Sequence, residues 1–462
     1  MLLSFDAFRK FTPVRKTYAL FGHPLGHTMS PELHSALFAA SGYDADYIAV
    51  DVPPEHLAEA VQLARKKLFG LNLTIPHKKA IIPLLDRVDQ SALDLHSVNT
   101  VTFDDCKAIG FNTDILGFAE SLEKDDISLK GKKVLLIGYG GAAAVMGYHC
   151  LKEGAELYIT GRDLNKAELL KQSFLQVFSG VKCKTCTRKR IPKDIQIIVN
   201  GTPLGMYPHE ERTPLYFLPY KTVYVFDAVY NPPMTALLRL ANPRYVKTRD
   251  GLYMLVMQAA RAQTIWYGAQ FSQSTCDSIL RRTYAKMAVR RLHDKHHKRH
   301  LVLCGFMGCG KTTVGRKLAR LTGLPFVDLD RYLEEKEQMS IPDIFAQYGE
   351  SYFRELETRY LSELTQRTES MVLSLGGGAV LRPENVTAIK KSGLLIWLDT
   401  PFSRILKNLS NSTTRPLLSK PDKQTETKRL YQTRRPIYRQ VSDLRVRSPR
   451  LSEVVERTLT SI

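Results

Sequence analysis

The chain has 462 residues, more than one hydrophobic core accommodates, so about two or three domains are expected. Its apolar content of 44% and mean hydropathy of −0.20 are typical of a globular protein, and no apolar run approaches the roughly 20 residues that cross a bilayer. The net charge of +20 is compatible with nucleic-acid binding or with small anionic ligands such as nucleotides and carboxylates.

The cysteines and the N-terminus indicate a cytoplasmic protein. Seven scattered cysteines favour reduced thiols, and the first residues lack the long apolar segment of a secretory signal peptide. Cys183 and Cys186 form one C-x-x-C pair in a basic loop, with no second pair at zinc-finger spacing. Metal binding at this pair is therefore the less favoured interpretation.

Positive charge is concentrated in residues 281–300 and 420–450. Neither segment interleaves aromatic residues with base-contacting residues in a recognisable nucleic-acid motif, so we predict no nucleic-acid partner. We predict the first segment to be a solvated linker. Its histidines have helical spacing, but no carboxylate or cysteine joins them usefully as a metal ligand.

The first predicted elements are a strand at residues 18–22 and an amphipathic helix that begins at Ser30 and Pro31. We predict Ser30 to cap this helix, because proline favours the first helical position and serine the position before it. Thr28 and Ser30 would then lie at a helix N-terminus, where a carboxylate is favoured. Capping alone also explains Ser30.

Polar residues follow the next predicted strands. A strand near residues 71–73 leads to Thr74 and, after a proline turn, to Lys78. Asn99 and Asp114 lie in similar turn-like positions farther along the chain. Because α/β proteins place their sites at strand ends, these residues are candidates for one site, although a lone Lys78 is more simply a surface lysine.

Residues 132–160 predict a strand, a glycine-rich turn, a helix and a second strand. The turn has the pattern G-x-G-x-x-A, beginning at Gly138, which in this context is a dinucleotide fingerprint. Arg162 and Asp163 follow the second strand. An arginine there suits a ribose 2′-phosphate and an acidic residue suits a 2′-hydroxyl, so both signals are present.

Residues 301–314 contain a complete phosphate loop, G-x-x-x-x-G-K-[ST], between a short apolar strand and an amphipathic helix. The glycines let backbone N–H groups approach phosphate oxygens. Lys311 would reach the β- and γ-phosphates, and the Thr312 hydroxyl would hold Mg²⁺. The helix points its positive end at the anion.

Further signals follow the phosphate loop. Asp328 and Asp330 end a predicted strand, where carboxylates suit Mg²⁺ and a substrate hydroxyl. A buried strand runs into glycines 376–378, where backbone approaches a ligand closely. Arg415 follows a loop rich in serine, threonine and asparagine, which is typical of a mobile lid.

In the first half, a set of motifs occurs in the order found in shikimate dehydrogenases: H-T-M-S-P, N-L-T-I-P-H-K, V-N-T, G-F-N-T-D, G-Y-G-G-A, N-G-T-P-L-G and D-G-L-Y-M-L-V-M-Q. Residues 17–280 therefore resemble that family. The resemblance implies Lys78 and Asp114 as the catalytic pair. It implies that shikimate is held by Thr28, Ser30, Thr74, Asn99, Tyr230 and Gln258. It implies that NADP(H) is held by Gly138, Gly140, Gly141, Ala142, Arg162 and Gly251.

Two positions depart from that family pattern. The family often has serine where Thr28 stands, which is a mild change. It often has N-R-T where this chain has Gly161, Arg162 and Asp163. Arg162 still favours NADP, but Asp163 would repel a 2′-phosphate nearby.

From about residue 299 to the end, the chain resembles shikimate kinase. The phosphate loop, D-L-D, F-R-x-x-E, G-G-G, R-P-L-L and R-x-P-x-Y appear in order. The resemblance implies ATP contacts from Gly305, Gly308, Gly310, Lys311, Thr312, Thr313 and Arg415. It implies Mg²⁺ contacts from Thr312 and Asp328. It implies that Asp330 acts on the attacking hydroxyl and that shikimate is held by Asp330, Arg354, Gly377, Gly378 and Arg434.

Together these resemblances imply an α/β chain with a substrate-binding domain at 17–115 and a Rossmann NADP-binding domain at 116–280. A helix around 250–275 would pack back on the substrate domain. A basic linker at 281–299 and a P-loop kinase domain with a parallel sheet at 300–462 would follow. The implied function is reduction of 3-dehydroshikimate with NADPH and then phosphorylation of shikimate with ATP and Mg²⁺, with no membrane partner.

Two alternatives stay open. In the first alternative, the N-terminal half would act on quinate or would use NAD, because Asp163 alters the cofactor turn. Alternatively, the P-loop domain is a non-catalytic ligand-binding or nucleic-acid-binding module. Asp330, Arg354 and the glycine triplet argue against the second alternative.

Overall fold

The computed structural model describes residues 1–26, 28–104, 107–410, 423–447 and 450–462. It consists of two compact units, Met1–Leu280 and Arg281–Ile462. Each unit is an α/β fold with its own parallel strands.

The N-terminal domain of the first unit is built on one mixed sheet. Its strands are β1 (Leu2–Ser4), β2 (Thr17–Gly22), β3 (Asp46–Asp51), β4 (Gly70–Leu73), β5 (Arg87–Val88), β6 (Thr100–Asp104) and β7 (Lys107–Phe111). Its helices are α1 (Phe5–Lys10), α2 (Ser30–Ser41), α3 (Leu57–Lys67), α4 (His77–Ala80), α5 (Gln90–Asp94) and α6 (Thr113–Lys124). The strand order is β1-β3-β2-β4-β6-β7-β5, and β6 is antiparallel to both of its neighbours.

The centre of this sheet explains where its site forms. All residues of β2 are buried, as expected for a central strand covered on both faces. β2 and β4 pair in parallel, so their carboxyl ends lie at the same edge. α2 begins after β2 and α4 begins after β4, which brings the N-termini of both helices to that edge.

The second domain of the first unit has the Rossmann topology that the sequence predicts. Its strands are β8 (Lys133–Ile137), β9 (Glu156–Thr160), β10 (Cys183–Thr185), β11 (Ile197–Asn200), β12 (Tyr224–Asp227) and β13 (Lys247–Arg249). Its helices are α7 (Gly141–Lys152), α8 (Leu164–Val177) and α9 (Ala236–Arg239). The strands are all parallel in the order β10-β9-β8-β11-β12-β13, which is the doubly wound arrangement of dinucleotide-binding folds.

Helix α10 (Leu252–Tyr267) follows β13 and packs on the N-terminal domain. Gln263 Nε2 donates to the backbone carbonyl of His34 in α2 at 3.0 Å, and Trp266 Nε1 donates to the carbonyl of Val101 in β6 at 2.9 Å. α10 therefore links the Rossmann domain to the N-terminal domain of this unit.

The basic segment at 281–299 is not the solvated linker that we predicted. Residues 281–294 belong to helix α11 (Gln273–Asp294), and the boundary between the two units falls inside this helix. Tyr284, Ala288 and Leu292 are buried at helical spacing, while most of the intervening basic residues face solvent. A buried stripe of this kind makes the segment a packed part of the fold.

The second unit continues with five strands, β14 (His300–Cys304), β15 (Phe326–Asp328), β16 (Val372–Ser374), β17 (Gly393–Leu398) and β18 (Leu444–Val446). Its helices are α12 (Lys311–Thr322), α13 (Leu329–Glu337), α14 (Ile341–Gln366), α15 (Pro383–Ser392), α16 (Phe402–Ser410), α17 (Lys423–Val441) and α18 (Leu451–Ser461). The sheet is parallel in the order β15-β16-β14-β17-β18, as predicted for a P-loop domain. No helix in the described part of the chain is long and apolar enough to span a membrane.

Candidate functional sites

A cavity of about 470 Å³ lies at the carboxyl ends of β2 and β4, and Lys78 and Asp114 line it. Lys78 Nζ donates to Asp114 Oδ2 at 2.7 Å. The side chains are 28% and 18% exposed, so the ion pair is partly shielded from solvent and still open to the cavity. The carboxylate therefore holds the ammonium group at the wall of the cavity.

Asp114 is positioned by the start of α6. Asn112 caps this helix, because its side chain accepts the backbone N–H of Asp114 at 3.1 Å. Asn99 Oδ1 accepts the backbone N–H of Thr113 at 2.8 Å and the hydroxyl of Thr100 at 3.0 Å. The Asn99 oxygen is thus committed to the protein, and its amide N–H groups are what Asn99 can offer the cavity.

Ser30 does not cap α2, contrary to our prediction. It is the first residue of the helix, whose N-cap residue is Met29 without a side-chain capping bond. Thr28 has the local structural role, since its Oγ1 accepts the backbone N–H of Ser30 at 3.2 Å. Both residues line the cavity, and the Ser30 hydroxyl is not used to cap the helix.

Thr74, Tyr230 and Gln258 come from three separate segments and line the same cavity. Burial raises the pKa of the Tyr230 phenol, so this side chain remains a neutral hydrogen-bond donor. Gln258 Nε2 donates to the carbonyl of Leu255 at 3.0 Å, which fixes the side chain on α10. The cavity wall thus includes these neutral polar groups, several apolar side chains and the Lys78–Asp114 pair.

Sequence reasoning missed His23, which also lines this cavity. Its Nδ1 lies 2.9 Å from Asp51 Oδ1, and that oxygen also accepts the backbone N–H of Leu25 at 3.3 Å. His23 directly follows β2 and Asp51 ends β3. We selected Thr74 and Asp114 because each is a polar residue near the end of a strand. The same criterion would have found His23 and Asp51.

The glycine-rich turn between β8 and α7 fits a dinucleotide pyrophosphate. Gly138 has φ +112°, and an added Cβ would come within 2.9 Å of Thr202 Cγ2. Gly140 and Gly141 face open space, and α7 begins after Gly140 without a side-chain cap. Ala142 is exposed in the first turn, so its N–H group joins theirs toward an anion.

The residues after β9 have distinct surroundings. Arg162 is exposed. Asp163 caps α8, since its Oδ1 accepts the backbone N–H groups of Asn165 at 2.9 Å and Lys166 at 3.3 Å. Gly251 lies at the start of α10, and an added Cβ would come within 2.1 Å of the Ala228 carbonyl oxygen.

The phosphate loop of the second unit has backbone conformations that require glycine. Gly305, Gly308 and Gly310 have φ values of +143°, +74° and +97°. Lys311 Nζ donates to the carbonyls of Gly305 at 2.9 Å and Phe306 at 3.2 Å. The lysine therefore lies over the loop whose N–H groups would surround a phosphate.

A pair of oxygen ligands suited to Mg²⁺ lies beside this loop. Thr312 Oγ1 donates to Asp328 Oδ2 at 2.8 Å. Thr312 is in the first turn of α12, and Asp328 ends β15. Thr313 follows Thr312 and is exposed. A hydroxyl and a carboxylate at this spacing are hard oxygen donors of the type that magnesium takes.

Asp330 and Arg354 converge on the glycine triplet. A Cβ added to Gly376 would lie 2.7 Å from Asp330 Oδ1 and 2.8 Å from Glu357 Oε1, and one added to Gly378 would lie 2.6 Å from Arg354 Nη1. Arg354 lies inside α14, shortly after a non-helical break at Gly349.

Glu357 was part of the predicted F-R-x-x-E motif, but we assigned it no role. Its Oε2 accepts Arg354 Nη1 at 2.8 Å, and the side chain is 1% exposed. Burial raises the pKa of the Glu357 carboxyl, while Arg354 lowers it. Glu357 thus holds the arginine in place, and its other oxygen has no hydrogen-bond partner among the described residues.

Arg434 approaches the same triplet from α17. Its Nη1 lies 3.5 Å from the Gly377 carbonyl oxygen, which also accepts the Tyr438 hydroxyl at 2.5 Å. Gly378 lies beside Arg354. Arg354 and Arg434 therefore flank one short backbone segment, where they can bind one carboxylate together. Arg415 lies outside the described residues.

The predicted C-x-x-C pair shows no metal environment. Cys183 and Cys186 are free thiols, and burial raises the pKa of Cys183 to about 12. Within the described ranges, no group of three or more His, Cys, Asp or Glu side chains is arranged to hold a metal ion.

Comparison with known proteins shows which protein family each unit resembles. The model of the shikimate dehydrogenase substrate binding domain matches residues 20–101, and the shikimate kinase model matches residues 307–462. A shikimate dehydrogenase (NADP(+)) from Caldicellulosiruptor saccharolyticus is 36% identical over 282 residues, covering 59% of this chain and 100% of the relative. One from Methanopyrus kandleri is 39% identical over 261 residues, covering 54% and 90%.

Solved structures agree with these matches. The shikimate 5-dehydrogenase of Thermus thermophilus, in complex with NADP(H) and shikimate, is 31% identical with a TM-score of 0.52. The similarity covers 58% of this chain and 99% of that one. The chain therefore belongs to the shikimate dehydrogenase family and also carries a shikimate kinase domain, which makes it a bifunctional enzyme of the shikimate pathway.

Proposed function

We propose that the first unit reduces 3-dehydroshikimate to shikimate with NADPH and that the second unit phosphorylates shikimate to shikimate 3-phosphate with ATP. The observation that carries the first reaction is the Lys78–Asp114 ion pair inside a cavity whose lining also includes polar side chains such as Thr28, Ser30 and Asn99. For the second, it is the convergence of Asp330, Arg354 and Arg434 on the glycine triplet.

Reduction of a ketone needs a hydride at carbon and a proton at oxygen. The reduced nicotinamide supplies the hydride when it is bound. Lys78 donates the proton to the developing alkoxide, and its positive charge stabilises that oxygen. Asp114 holds the ammonium at 2.7 Å. Thr28, Ser30 and Tyr230 bind the substrate carboxylate, and Asn99 binds a ring hydroxyl.

NADPH is the cofactor that the turn after β9 favours. Arg162 is exposed and offers its guanidinium to a 2′-phosphate. Asp163 would repel this phosphate if its carboxylate were turned toward it. Because that carboxylate accepts two backbone N–H groups at the start of α8, its charge is partly offset by the helix. The curated relatives above carry NADP(+) in their names.

Phosphoryl transfer needs positioning and charge neutralisation more than covalent catalysis. Lys311 and the loop N–H groups bind the phosphates. Thr312 and Asp328 would hold Mg²⁺, which would supply positive charge to neutralise the phosphates. Asp330 orients the attacking hydroxyl and accepts its proton. Arg354 and Arg434 bind the shikimate carboxylate, which places the acceptor ring against the glycine triplet.

One coupled assay tests the whole proposal. The full chain is incubated with 3-dehydroshikimate, NADPH, ATP and Mg²⁺, and shikimate and shikimate 3-phosphate are followed by chromatography. We expect shikimate to form only when NADPH is present and shikimate 3-phosphate only when ATP is also present. Accumulation of shikimate without its phosphate would reject the kinase reaction and leave the dehydrogenase reaction intact.

Steady-state rates separate the substrate and cofactor alternatives. We expect kcat/KM to be higher with NADPH than with NADH, and higher for oxidation of shikimate than of quinate. The reverse preference on both measures would make the first unit a quinate dehydrogenase that uses NAD. Salt-sensitive nucleic-acid binding at physiological salt, together with no phosphorylation, would make the second unit a binding module.

A further inference from the structure

The turn that carries the dinucleotide fingerprint contains a tyrosine in contact with the end of the neighbouring strand. Tyr139 stands between Gly138 and Gly140 and is half-buried, with its ring packed against the core of the Rossmann domain. A Cβ added to Gly161 would lie 2.6 Å from Tyr139 Cε1 and 2.8 Å from Cδ1. Any side chain at position 161 would therefore displace this ring.

The position of this contact gives it a functional meaning. In dinucleotide-binding folds, the pyrophosphate lies on the glycine-rich turn, and the adenosine ribose is recognised at the end of the second strand. Here those two places are the turn at Gly138 and the residues after β9, and Tyr139 lies between them. Arg162, next to Gly161, is exposed, whereas Asp163 is occupied in capping α8.

We propose that Tyr139, seated against Gly161, forms the wall of the adenosine subsite and shares the ribose 2′-phosphate with Arg162 through its phenol O–H. This proposal rests on the proposed use of NADPH. The absence of a side chain at position 161 is what admits the ring, so Tyr139 and Gly161 act as one complementary pair. Tyr139 is thus a residue that determines cofactor specificity.

The test is equilibrium binding of adenosine fragments to the full chain by isothermal titration calorimetry. Adenosine 2′,5′-bisphosphate carries the 2′-phosphate, and adenosine 5′-monophosphate lacks it. Tyr139→Phe removes only the hydroxyl. We expect this variant to bind the bisphosphate about tenfold more weakly, which is the usual effect of losing a hydrogen bond to a charged group. We expect its affinity for the monophosphate to be unchanged. Equal affinity of Tyr139→Phe and the parent chain for the bisphosphate would reject the proposed hydrogen bond from the Tyr139 hydroxyl to the 2′-phosphate.

A double-mutant cycle tests the pairing of the two residues. Gly161→Ala displaces the ring. We therefore expect this substitution to lower the affinity for the bisphosphate at least as much as Tyr139→Phe does. In a Tyr139→Ala background the same glycine substitution meets no ring, and we expect no further loss. An equal loss in both backgrounds would show that Gly161 acts independently of Tyr139 and would overturn the pairing. The melting transition of each variant, compared with that of the parent chain, checks that the Rossmann domain is folded.

A further variant separates this proposal from the use of NADPH itself. Arg162→Ala is expected to lower the affinity for the bisphosphate and to leave the affinity for the monophosphate unchanged, whether or not Tyr139 contributes to binding. If Arg162→Ala has this effect and Tyr139→Phe has none, NADPH use stands and the role of Tyr139 is rejected. If the parent chain binds both fragments with equal affinity, NADPH preference and the role of Tyr139 are rejected together.

Discussion

Each unit has a lysine in its candidate site, and the two lysines have opposite surroundings. Lys78 Nζ lies 2.7 Å from the Asp114 carboxylate. Lys311 Nζ donates to the backbone carbonyls of Gly305 and Phe306, and no carboxylate in the described ranges pairs with it. A proton donor needs a partner that positions it, whereas a counter-charge for phosphates acts best with its full charge. The surroundings thus match the two kinds of chemistry.

Replacing each lysine separately is expected to give the largest effects. Lys78→Met removes the proton donor, and we expect kcat/KM for reduction to fall on the order of 10³-fold while phosphorylation is unchanged. Lys311→Met should have the converse effect of similar size. Both activities are measured on each purified full-length variant. Loss of both activities in either variant would indicate a folding defect or coupled sites and would break the comparison.

The acceptor side of the second site is tested by replacing a planar guanidinium with an ammonium. Arg354→Lys keeps the charge but loses bidentate binding of a carboxylate, so we expect the KM for shikimate to rise about 10- to 100-fold, with a smaller change in the KM for ATP. Arg359→Lys is the matched control, because Arg359 is exposed on the same helix. A similar rise in both variants would contradict a specific contact between Arg354 and the substrate.

The two hydroxyls at the start of α2 should separate binding from local structure. Ser30 does not cap the helix, so Ser30→Ala should raise the KM for shikimate about tenfold with little change in melting temperature. The Thr28 hydroxyl accepts a backbone N–H, so Thr28→Val should also destabilise the fold by about 0.5–1 kcal/mol. An unchanged KM in Ser30→Ala would remove this residue from the substrate site.

The smallest expected effect is a pH dependence of stability at Asp227. Burial raises the pKa of this carboxyl to about 6, although hydrogen bonds from Thr235, Val229 and Asn200 lower it. The folded-state pKa lies above the unfolded-state value. The contribution of the protonated Asp227 carboxyl to the free energy of unfolding is therefore complete at low pH, and it is lost as pH rises from about 4 through about 6.

Asp227→Asn has no such titration. We therefore expect the stability of the parent chain relative to this variant to decrease by on the order of 1 kcal/mol between pH 4 and pH 7. The measurement is the difference between their melting temperatures at each pH. A difference that does not change with pH would show that Asp227 titrates alike in the folded and unfolded chain.

The sequence predicted most of the fold because both nucleotide-binding units depend on local patterns. A buried strand, a glycine-rich turn and a helix follow one another within about twenty residues at β8 and again at β14, and each pattern can be recognised without knowledge of the rest of the chain. The segment at 281–299 shows the limit of such patterns. Its composition predicts a solvated linker, but Tyr284, Ala288 and Leu292 are buried. Burial depends on how the whole chain packs, which a local pattern does not specify.

The site residues show the same division. The chemical identity of Lys78, Asp114, Lys311 and Asp330 is a property of the sequence, because strand ends and the phosphate loop have recognisable neighbours. The roles of other residues depend on contacts across the fold. Thr28 replaces Ser30 as the acceptor at the start of α2. His23 and Glu357 enter their sites through partners that sequence reasoning did not assign.

The two nucleotide-binding folds, their order and their candidate chemical groups can be read from the sequence, since these depend on short-range periodicity and turn chemistry. Which charges are paired, which hydroxyls are left uncapped and which glycine admits the Tyr139 ring become apparent from the three-dimensional contacts. Those outcomes depend on distances between segments that are far apart in the chain, and local sequence patterns do not specify such distances.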